Sequence, residues 1–394
     1  MNSRTIVAMP GDGIGKSVLP EAVRVLDSVG FEAEYVHGDI GWEFWVREGN
    51  ALPERTIELL SKHKLGLLGA ITSKPKAEAA AELHPSLQGK GYDYFSPVVA
   101  LRQRFHLDVC LRPCRSFAGN PLNFVRRLPD GTIEEPFIDV AVFRQNTEGL
   151  YCGIEWTHPP DDLCNALSKH ARWRPFARTP PEEIAISLRV FTQAACRRIV
   201  AAAFHHASEH GYRSVTVCEK PNVLRETSGM MEDAVREIRE NYPEIEVRSS
   251  NIDTQMMWLT KNPEDYGVFV GGNLIGDITS DAFAGLVGGL GFACSGNIGE
   301  EVAVFEPTHG SAPKYETFDP QIVNPTAMIL SAAMLLDHVG ETSMAERVRR
   351  AVAEVVREGR VRTYDMLGLR GGPDVLDRGA ASMTEMTNAI IARI

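Results

Sequence analysis

Two aspartates four residues apart, Asp277 and Asp281, are the most distinctive chemical feature of the sequence. In a helix, residues i and i+4 lie on one face, so both carboxylates can point at one ligand. Two like charges held together are unfavourable unless a cation joins them, and ligands that are all oxygen suit Mg²⁺ or Mn²⁺. Because an apolar run (266–270) precedes the pair, we expect a metal site after a buried strand. A solvated acidic helix face would show the same spacing.

Three arginines, Arg102, Arg112 and Arg144, each lie beside a segment that looks like a strand or a helix. A guanidinium group binds a carboxylate through two parallel hydrogen bonds, so three converging arginines would recognise a di- or tricarboxylate. Taken singly, each is more often a surface salt-bridge residue. Arg112 and Arg144 are the more informative, because each ends an apolar run that should be buried.

Four further positions could carry chemistry. Lys220 directly follows a predicted strand, at the end where ligands bind in α/β sheets, and could act as a base with a lowered pKa. Tyr151 follows the third arginine, although a core tyrosine fits equally well. Asp253 could supply a third carboxylate. The polar loop that contains His309 suits backbone contacts with phosphate or ribose.

The composition is that of an ordinary globular protein with one large or two medium domains: 394 residues, 44% hydrophobic and 24% charged. The net charge of −11 argues against nucleic acid or an anionic membrane as the main partner. No window approaches 18 uninterrupted apolar residues, and no signal-peptide pattern opens the sequence. Seven scattered cysteines indicate reduced thiols, so we expect a cytoplasmic protein.

The elements that must position these residues alternate between strand and helix. Strands are predicted at 4–9, 65–69, 138–143, 214–218 and 266–270, and helices at 18–29, 53–62, 184–209, 325–339 and 341–358. This alternation predicts an α/β fold with a largely parallel sheet. The segment 158–181, rich in Pro, Arg and Trp, lacks clear periodicity and is interpreted as an arm.

The glycine loop at 11–15 imitates two nucleotide motifs without matching either. Lys16 stands where a dinucleotide fingerprint has its third glycine, and Pro10 replaces the first glycine of a phosphate loop. An NTPase is therefore not expected. The glycines could still let a ligand approach the start of a helix, where free N–H groups favour anions.

Six blocks, in order along nearly the whole chain, together resemble the isocitrate/isopropylmalate dehydrogenase family of metal-dependent decarboxylating dehydrogenases. They lie at 11–15, 101–113, 143–151, 220–222, 273–281 and 306–315. The resemblance implies an α/β protein without a Rossmann domain. It implies a large domain (1–107 and 288–394), a small domain (108–148 and 193–287) and a clasp-like arm between subunits (149–192).

The resemblance also implies roles for individual residues. The substrate carboxylates would be held by the three arginines, and the rest of the substrate would meet Ser96, Val98 and Asn222. Asp253, Asp277 and Asp281 would ligate Mg²⁺ or Mn²⁺. Lys220, helped by Asp253, would accept the hydroxyl proton, and Tyr151 would return a proton after decarboxylation. Because Lys220, Asn222 and Asp253 come from the neighbouring subunit in this family, a homodimer is implied.

Isocitrate is the favoured small-molecule substrate, because Ser96 and the segment 150–156 match the isocitrate branch of the family. Val98 departs from that branch, where asparagine is typical, and is nearer the isopropylmalate pattern. Homoisocitrate, 3-isopropylmalate or an analogue such as a phosphonomethyl malate therefore remain alternatives. A non-catalytic regulatory subunit is a further alternative, against which the retained Tyr151 and Lys220 argue.

NADP is favoured over NAD, because Lys314 suits a 2′-phosphate and Tyr364 matches a phosphate-contacting tyrosine. Asn262 and Gly368, which stand where such enzymes can carry arginines, keep NAD open. The cofactor contacts implied by the resemblance are Ile14, Thr72, His309, Gly310, Ser311, Ala312, Lys314, Tyr315, Asn324 and Tyr364.

Overall fold

The structure, a computed structural model, describes residues 4–394, and a ten-stranded mixed sheet dominates it. The strands are β1 (Arg4–Gly11), β2 (Ala33–His37), β3 (Leu65–Ala70), β4 (Val109–Arg115), β5 (Arg126–Arg127), β6 (Ile133–Glu134), β7 (Asp139–Gln145), β8 (Glu155–Thr157), β9 (Ala185–Ser187), β10 (Ser214–Glu219), β11 (Glu246–Asn251), β12 (Val268–Gly271), β13 (Cys294–Ile298) and β14 (Ala303–Pro307). The helices are α1 (Gly15–Val29), α2 (Trp42–Glu48), α3 (Glu54–His63), α4 (Lys76–Glu82), α5 (Pro97–Arg104), α6 (Asp161–Ser168), α7 (Gln193–His210), α8 (Arg225–Ile238), α9 (Ile252–Leu259), α10 (Asn273–Leu286), α11 (Thr326–His338), α12 (Thr342–Glu358) and α13 (Met383–Ile391).

The order of the large sheet is β11-β10-β12-β7-β4-β13-β14-β3-β1-β2. Six of its nine pairings are parallel, and the three antiparallel ones all involve β4 or β13 in the middle. Two parallel blocks therefore run in opposite directions on either side of β4 and β13. This confirms the predicted α/β fold with a mixed, mostly parallel sheet.

Alternate residues of each strand point to opposite faces, and helices cover both faces. On β12, Val268 and Val270 pack with α7 and α8, whereas Phe269 between them packs with α9 and α10. On β3, Leu67 packs with α1 and α11, whereas Leu68 faces α3 and α5. Strands buried on both faces explain the continuous apolar runs in the sequence.

Helix α11 is the most deeply buried helix of the larger core. Every residue from Thr326 to Leu336 is buried, and the helix packs against α1 and α12. It has 13 residues and is enclosed by protein. Among residues 4–394, no helix combines the length and the apolarity needed to cross a bilayer.

The predicted helix at 184–209 is wrong at its start, because α7 begins at Gln193. The hydroxyl of Thr192 accepts a hydrogen bond from the backbone N–H of Ala195, so the helix starts at that cap. The residues before it run extended, and β9 pairs with β8 in a two-stranded sheet. The segment 158–181, expected to be irregular, contains α6 and short 3₁₀ turns with few buried side chains.

Candidate active site

Four parallel strands bring the candidate residues to one edge of the sheet. Arg144 lies at the end of β7, and Lys220 directly follows β10. The end of β12 leads into α10, and the end of β11 leads into α9, where Asp253 is the second residue. Since ligands of α/β sheets bind beyond the carboxyl ends of parallel strands, this edge is the expected place for a site.

Helix α10 presents Asp277 and Asp281 one turn apart to two buried arginines. Arg112 Nη1 lies 3.2 Å from Asp277 Oδ1 and 3.0 Å from Asp281 Oδ1, and it also donates to the Ser280 hydroxyl. Arg144 forms an ion pair with Asp277 and donates through Nε to Asn273 Oδ1 at 2.8 Å. The structure therefore joins both predicted carboxylates and two of the three predicted arginines in one cluster.

The cluster holds charge in a poorly hydrated place. Burial, followed by the neighbouring Arg102 and Arg112, lowers the pKa of Arg144 to about 10. Loss of hydration raises the pKa of Asp281; Arg112 acts against this rise and Asp277, one turn away, adds to it. Both shifts are caused chiefly by burial, and neighbouring like charges add to each. A divalent cation between the two carboxylates would relieve the crowding on the acidic side.

Arg102, the third predicted arginine, is held by two buried residues that sequence reasoning missed. Its Nε donates to Asn297 Oδ1 and its Nη2 to Glu306 Oε1, both at 3.1 Å. Asn297 itself donates to Glu306 at 2.8 Å. Glu306 stands in one of the six sequence blocks, but its pairing with a residue 204 positions away leaves no local signal. Nη1 of Arg102 makes no hydrogen bond within the described chain and is available to a ligand.

Tyr151 lies against the same cluster. Its hydroxyl donates to Asp277 Oδ2 at 3.2 Å, and the Arg144 guanidinium carbon lies 5.5 Å from the centre of its ring. Burial raises the pKa of Tyr151, and the Asp277 charge adds to the rise. The phenol therefore stays protonated at neutral pH and can donate a proton. A short 3₁₀ turn, Leu150–Cys152, carries it.

Lys220 and Asp253 form an ion pair with each other and not with the α10 cluster. The hydrogen bond from Lys220 lowers the pKa of Asp253. Asn222, in the turn after Lys220, is exposed. Within residues 4–394, no three acidic, histidine or cysteine side chains converge on a point that could hold a metal. One protomer therefore contributes two separate groups, the Asp277–Asp281 pair and the Lys220–Asp253 pair.

Large apolar side chains are exposed on the elements that carry both groups. They are Val223, Leu224, Met257, Trp258 and Ile278, each between 41% and 66% exposed. Val223 and Leu224 follow Asn222, Met257 and Trp258 lie on α9, and Ile278 follows Asp277. Exposed apolar side chains are typical of surfaces that bind another protein when they form a contiguous patch.

The opposite parallel block ends in a second cluster of loops. The carboxylate of Asp12 accepts the backbone N–H groups of Trp42 at 2.7 Å and Thr72 at 2.8 Å. Thr72 and Ser311 share a hydroxyl hydrogen bond of 2.6 Å, and Ile14 N–H donates to the Ser311 carbonyl at 2.8 Å. Ile14, Thr72 and Ser311, predicted separately as cofactor contacts, are thus brought together. Sequence reasoning missed Asp12, which connects these loops.

The glycines of the loop at 11–15 allow neighbouring loops to pack closely. The sequence had suggested that they allow a ligand to approach the helix start. Gly11 and Gly13 have φ of +69° and +52°. A Cβ on Gly11 would lie 2.0 Å from the Ala70 carbonyl oxygen, and one on Gly13 would lie 2.1 Å from that of Ser311. The first N–H groups of α1 donate to carbonyls of residues 12–14, so the helix start is not an open anion site.

The loop after β14 contains a buried polar atom without a partner. His309 Nδ1 lies 3.0 Å from the Gly310 carbonyl oxygen, whereas Nε2 has no hydrogen-bond partner among the described residues. Burial lowers the pKa of His309, so the ring is neutral at neutral pH. Ala312 adopts φ of +39°, which is unusual for a residue other than glycine. An unpaired buried nitrogen beside a strained turn fits a loop that a ligand completes.

The remaining predicted cofactor residues differ in whether their polar groups are free to bind a ligand. The ammonium group of exposed Lys314 lies 4.6 Å from the centre of the buried Tyr315 ring. Tyr315 packs against Tyr364, whose pKa burial raises. Asn324 donates to Asp365 Oδ2 at 3.1 Å and accepts from the Thr326 N–H, so its amide is engaged within the protein. Lys314 is therefore the group freest to meet a phosphate.

Ser96 and Val98 lie at the start of α5, one to two turns before Arg102. Ser96 is the N-cap residue, and its hydroxyl makes no hydrogen bond within the described chain. Val98 is half-buried and packs on the apolar cluster that contains Leu68. The preceding Phe95 is 48% exposed, and its ring would lie 3.9 Å from a Cβ on Gly153. One polar and two apolar groups thus lie at the start of α5, and Phe95 approaches the turn that carries Tyr151.

Gly276 lets α10 approach β7, and this gives a prediction about stability. A Cβ there would lie 2.7 Å from Arg144 Cβ, whereas one on Gly285, in the same helix, would meet nothing within 4 Å. We expect Gly276→Ala to lower the free energy of unfolding by about 1–3 kcal/mol through overpacking. Gly285→Ala should leave it unchanged or raise it by up to about 1 kcal/mol. Urea denaturation followed by circular dichroism compares them; equal effects would contradict this account of α10 packing.

Comparison with known proteins gives a consistent result. A family model described as isocitrate/isopropylmalate dehydrogenase matches residues 5–390. The chain is 38% identical over 388 residues to Protein DlpA of Legionella pneumophila. The aligned region covers 98% of this chain and 58% of that relative. It is 35% identical over 371 residues to 3-isopropylmalate dehydrogenase of Methanothermobacter thermautotrophicus, covering 94% and 96% of the two chains. The crystal structure of isocitrate dehydrogenase from Methylococcus capsulatus superposes with a TM-score of 0.80 at 32% identity, over 99% of each chain.

The match extends over nearly the whole sequence and agrees with the α/β fold. Proteins of this family are decarboxylating dehydrogenases of small hydroxy acids, and they generally use NAD(P) and a divalent metal. They are generally dimers. The chain belongs to the isocitrate/isopropylmalate dehydrogenase family.

Proposed function

We propose that the protein catalyses the NAD(P)-dependent oxidative decarboxylation of a 2-hydroxy acid with a β-carboxylate, with isocitrate as the favoured substrate. The observation that carries this proposal is the α10 cluster. Two carboxylates one helical turn apart, two buried arginines and a protonated tyrosine surround one point. These are the groups that the binding of a metal and a carboxylate acid requires.

The donor set fits a divalent cation. Asp277 and Asp281 supply hard oxygen ligands, and Asp253 of the partner subunit would complete the set. The exposed apolar residues beside Asn222, Asp253 and Asp277 support a second copy covering this face. When bound, Mg²⁺ or Mn²⁺ supplies Lewis-acid stabilisation of negative charge on the substrate oxygens. The three arginines would orient the substrate carboxylates through charge-assisted hydrogen bonds.

The protein groups then move two protons. Lys220 of the partner subunit, in its neutral amine form, would accept the hydroxyl proton during the oxidation, for which a bound nicotinamide would supply the hydride acceptor. Its neighbour Asp253 stabilises the ammonium ion that results. The new ketone would lie β to a carboxylate, so that carboxylate would leave as CO₂ and its electron pair would form an enolate. Tyr151 would return a proton to the enolate carbon, which accounts for a phenol kept protonated beside Asp277.

The charges of the cluster favour a substrate with at least two carboxylates. Arg102, Arg112 and Arg144 are balanced by Asp277, Asp281 and the buried Glu306. A dication and two substrate carboxylates can therefore enter the cluster together without leaving net charge in this poorly hydrated place. A monocarboxylate would leave one positive charge uncompensated, which is unfavourable there.

The third substituent of the substrate would meet Ser96, Val98 and Phe95. The free hydroxyl of Ser96 can donate to a further carboxylate, which supports isocitrate. Val98 offers no polar group and Phe95 adds an apolar surface, which supports an isopropyl or longer substituent. Homoisocitrate, 3-isopropylmalate and a phosphonomethyl malate are therefore the alternative substrates.

NADP is the proposed cofactor, and NAD is the alternative. The unpaired Nε2 of His309 and the strained turn at Ala312 border the loop where the nucleotide would lie. Lys314 lies two residues after Ala312, is exposed, and carries the positive charge that would pair with a 2′-phosphate. Ile14, Thr72 and Ser311 would approach the nucleotide from the adjoining loops. Tyr315 and Asn324 would act chiefly by supporting these loops, since their polar groups are engaged or buried.

The domain division and the location in the cell belong to the same proposal. One apolar core joins residues 6–67 with 292–390, and two others use residues 109–293, which supports the large and the small domain. The paired β8 and β9 support a clasp-like arm at 149–192. All seven cysteines are unpaired thiols, which fits the reducing cytoplasm.

Turnover with a panel of acids tests the function. Purified protein with Mn²⁺ and either cofactor should reduce the nicotinamide in the presence of isocitrate, homoisocitrate, 3-isopropylmalate or a phosphonomethyl malate, most rapidly with isocitrate and NADP. Absorbance of the reduced nicotinamide measures the rate. Failure with every acid would contradict the catalytic proposal and leave the non-catalytic regulatory subunit.

The two proton-transfer residues give a prediction about rates. Lys220→Met and Tyr151→Phe should lower kcat by about 10²–10⁴-fold, because each removes a positioned acid or base. KM should change little, since the arginines that hold the substrate remain. Lys62→Met, at an exposed position of α3, is the control and should behave as the wild type. A rise in KM with kcat unchanged would contradict the assigned roles.

Shared active sites predict complementation between inactive variants. If Lys220 and Tyr151 of one chain serve different sites, a mixed dimer of Lys220→Met and Tyr151→Phe chains keeps one intact site. Random reassortment of the two homodimers should then restore about a quarter of the wild-type activity, because half of the dimers are mixed. Activity that stays at the level of the separate variants would mean that each chain completes its own site.

Cofactor choice can be tested at Lys314. Lys314→Asp should lower the ratio of kcat/KM for NADP over NAD by about 10–100-fold, because it replaces a charge-assisted bond to phosphate with repulsion. Lys314→Met, which removes the charge and adds no acceptor, should change the ratio less. Equal effects of the two substitutions on both cofactors would contradict a contact between Lys314 and the 2′-phosphate.

A further inference from the structure

Glu219, a buried carboxylate, takes no part in the chemistry proposed above. It ends β10, directly before Lys220, and is 1% exposed. Its side chain reaches three other elements of the protomer. A buried carboxylate is costly unless it is paired and hydrogen-bonded, so its contacts indicate what it is retained for.

One carboxylate oxygen holds the start of α10. Glu219 Oε1 accepts the backbone N–H of Gly272 at 2.7 Å, and Gly272 is the N-cap residue of α10. A carboxylate at a helix N-terminus is favourable, because it meets free N–H groups and the positive end of the helix dipole. A Cβ on Gly272 would lie 2.7 Å from this oxygen and 2.6 Å from the Phe191 ring. The glycine is thus required for the contact.

The other carboxylate oxygen, Oε2, holds the part of the arm that follows β9. Glu219 Oε2 accepts from Arg189 Nη2 at 2.5 Å and from the Ser228 hydroxyl at 3.1 Å. Arg189 also donates to the Thr227 hydroxyl at 2.7 Å, and its guanidinium carbon lies 4.5 Å from the centre of the Phe191 ring. The arm, α8 and α10 are therefore fixed to the residue before Lys220 by a single side chain.

We propose that Glu219 is a positioning residue that links the two active sites of a dimer. This inference rests on the proposed function, in which Asp277 and Asp281 serve the site of their own chain and Lys220 serves that of the partner subunit. The carboxylate of Glu219 fixes the helix that carries the first pair, and its backbone leads into the lysine of the second site. A displacement of α10 in one site is therefore transmitted to the general base of the other.

The negative charge of Glu219 strengthens both its bond to the Gly272 N–H and its ion pair with Arg189. Glutamine could still accept the Gly272 N–H, but as a weaker acceptor, because hydrogen bonds to ionised groups are about twice as strong as neutral ones. It would also leave the half-buried Arg189 cation without its anion. Both losses would loosen the start of α10 relative to β10 without removing any group from the reaction.

Binding of Mn²⁺ alone gives a readout that does not depend on turnover. Titration of Glu219→Gln, followed by the electron paramagnetic resonance signal of free Mn²⁺, should give a dissociation constant about tenfold above the wild type. The control is Glu237→Gln on α8, which removes an exposed ion pair with Arg197 and should bind Mn²⁺ as the wild type does. Ser228→Ala, a milder change at the same carboxylate, should shift binding in the same direction by less.

Mixed dimers separate the two ends of the link. When one chain carries Lys220→Met, only the site made from the α10 of that chain and the Lys220 of its partner is active. Glu219→Gln added to the Lys220→Met chain should raise the Mn²⁺ concentration for half-maximal rate several-fold and leave kcat unchanged. The same substitution in the partner chain should lower kcat several-fold and leave the Mn²⁺ requirement unchanged.

The outcomes distinguish this proposal from the one it rests on. Identical effects from either chain would mean a general loss of stability, and no effect from either would mean that Glu219 positions nothing; both overturn the link. Should the parent mixed dimer itself be inactive, the shared site fails and the link between two sites fails with it. Weakened Mn²⁺ binding in Glu219→Gln would then still support its hold on α10. Wild-type binding in both Glu219→Gln and Ser228→Ala would overturn that hold as well.

Discussion

The site depends on the compensation of charge between α10 and the two buried arginines behind it. Arg112 and Arg144 are almost inaccessible to solvent, so their buried charges would be costly without Asp277 and Asp281. The two carboxylates in turn repel each other one turn apart and are held by the guanidinium groups. The cluster is therefore assembled before any ligand arrives, and a cation and an anionic acid can enter it as a pair.

This constraint explains why small residues lie where α10 meets the sheet. Gly276 packs directly on the first side-chain carbons of Arg144, and Gly272 packs on Glu219 and Phe191. A larger side chain at either position would move the helix and with it the carboxylates, by distances that matter to a metal site. The glycines that the sequence places around α10 thus determine geometry through close contact; neither of these two has a positive φ.

The α/β fold class and the placing of Asp277 and Asp281 on one helix face could be predicted from the sequence, because periodicity and local spacing carry that information. The spacing of Arg112 and Arg144 does not show that they meet this pair, and only the family resemblance implied it. The supporting polar residues could not be predicted. Asn297 and Glu306 meet Arg102 across about 200 positions, and nothing near them in sequence indicates the pairing. The start of α7 could not be predicted from the apolar pattern, because that pattern continues before residue 193. The helix starts where the Thr192 hydroxyl caps it.

The charge cluster on α10 and the residues at the start of α5 are separate parts of the site. This separation suggests how proteins of one family can act on several acids. In the proposed function, the groups around Asp277 would meet only the hydroxyl and the carboxylates that all such substrates share. Ser96, Val98 and Phe95 would meet the substituent that differs, and none of them contributes a charge to the cluster. Substitutions there can change the preferred acid at little cost in stability, whereas a change in the cluster would leave a buried charge unpaired. Substrate identity is therefore to be sought at the start of α5, and the common chemistry at α10.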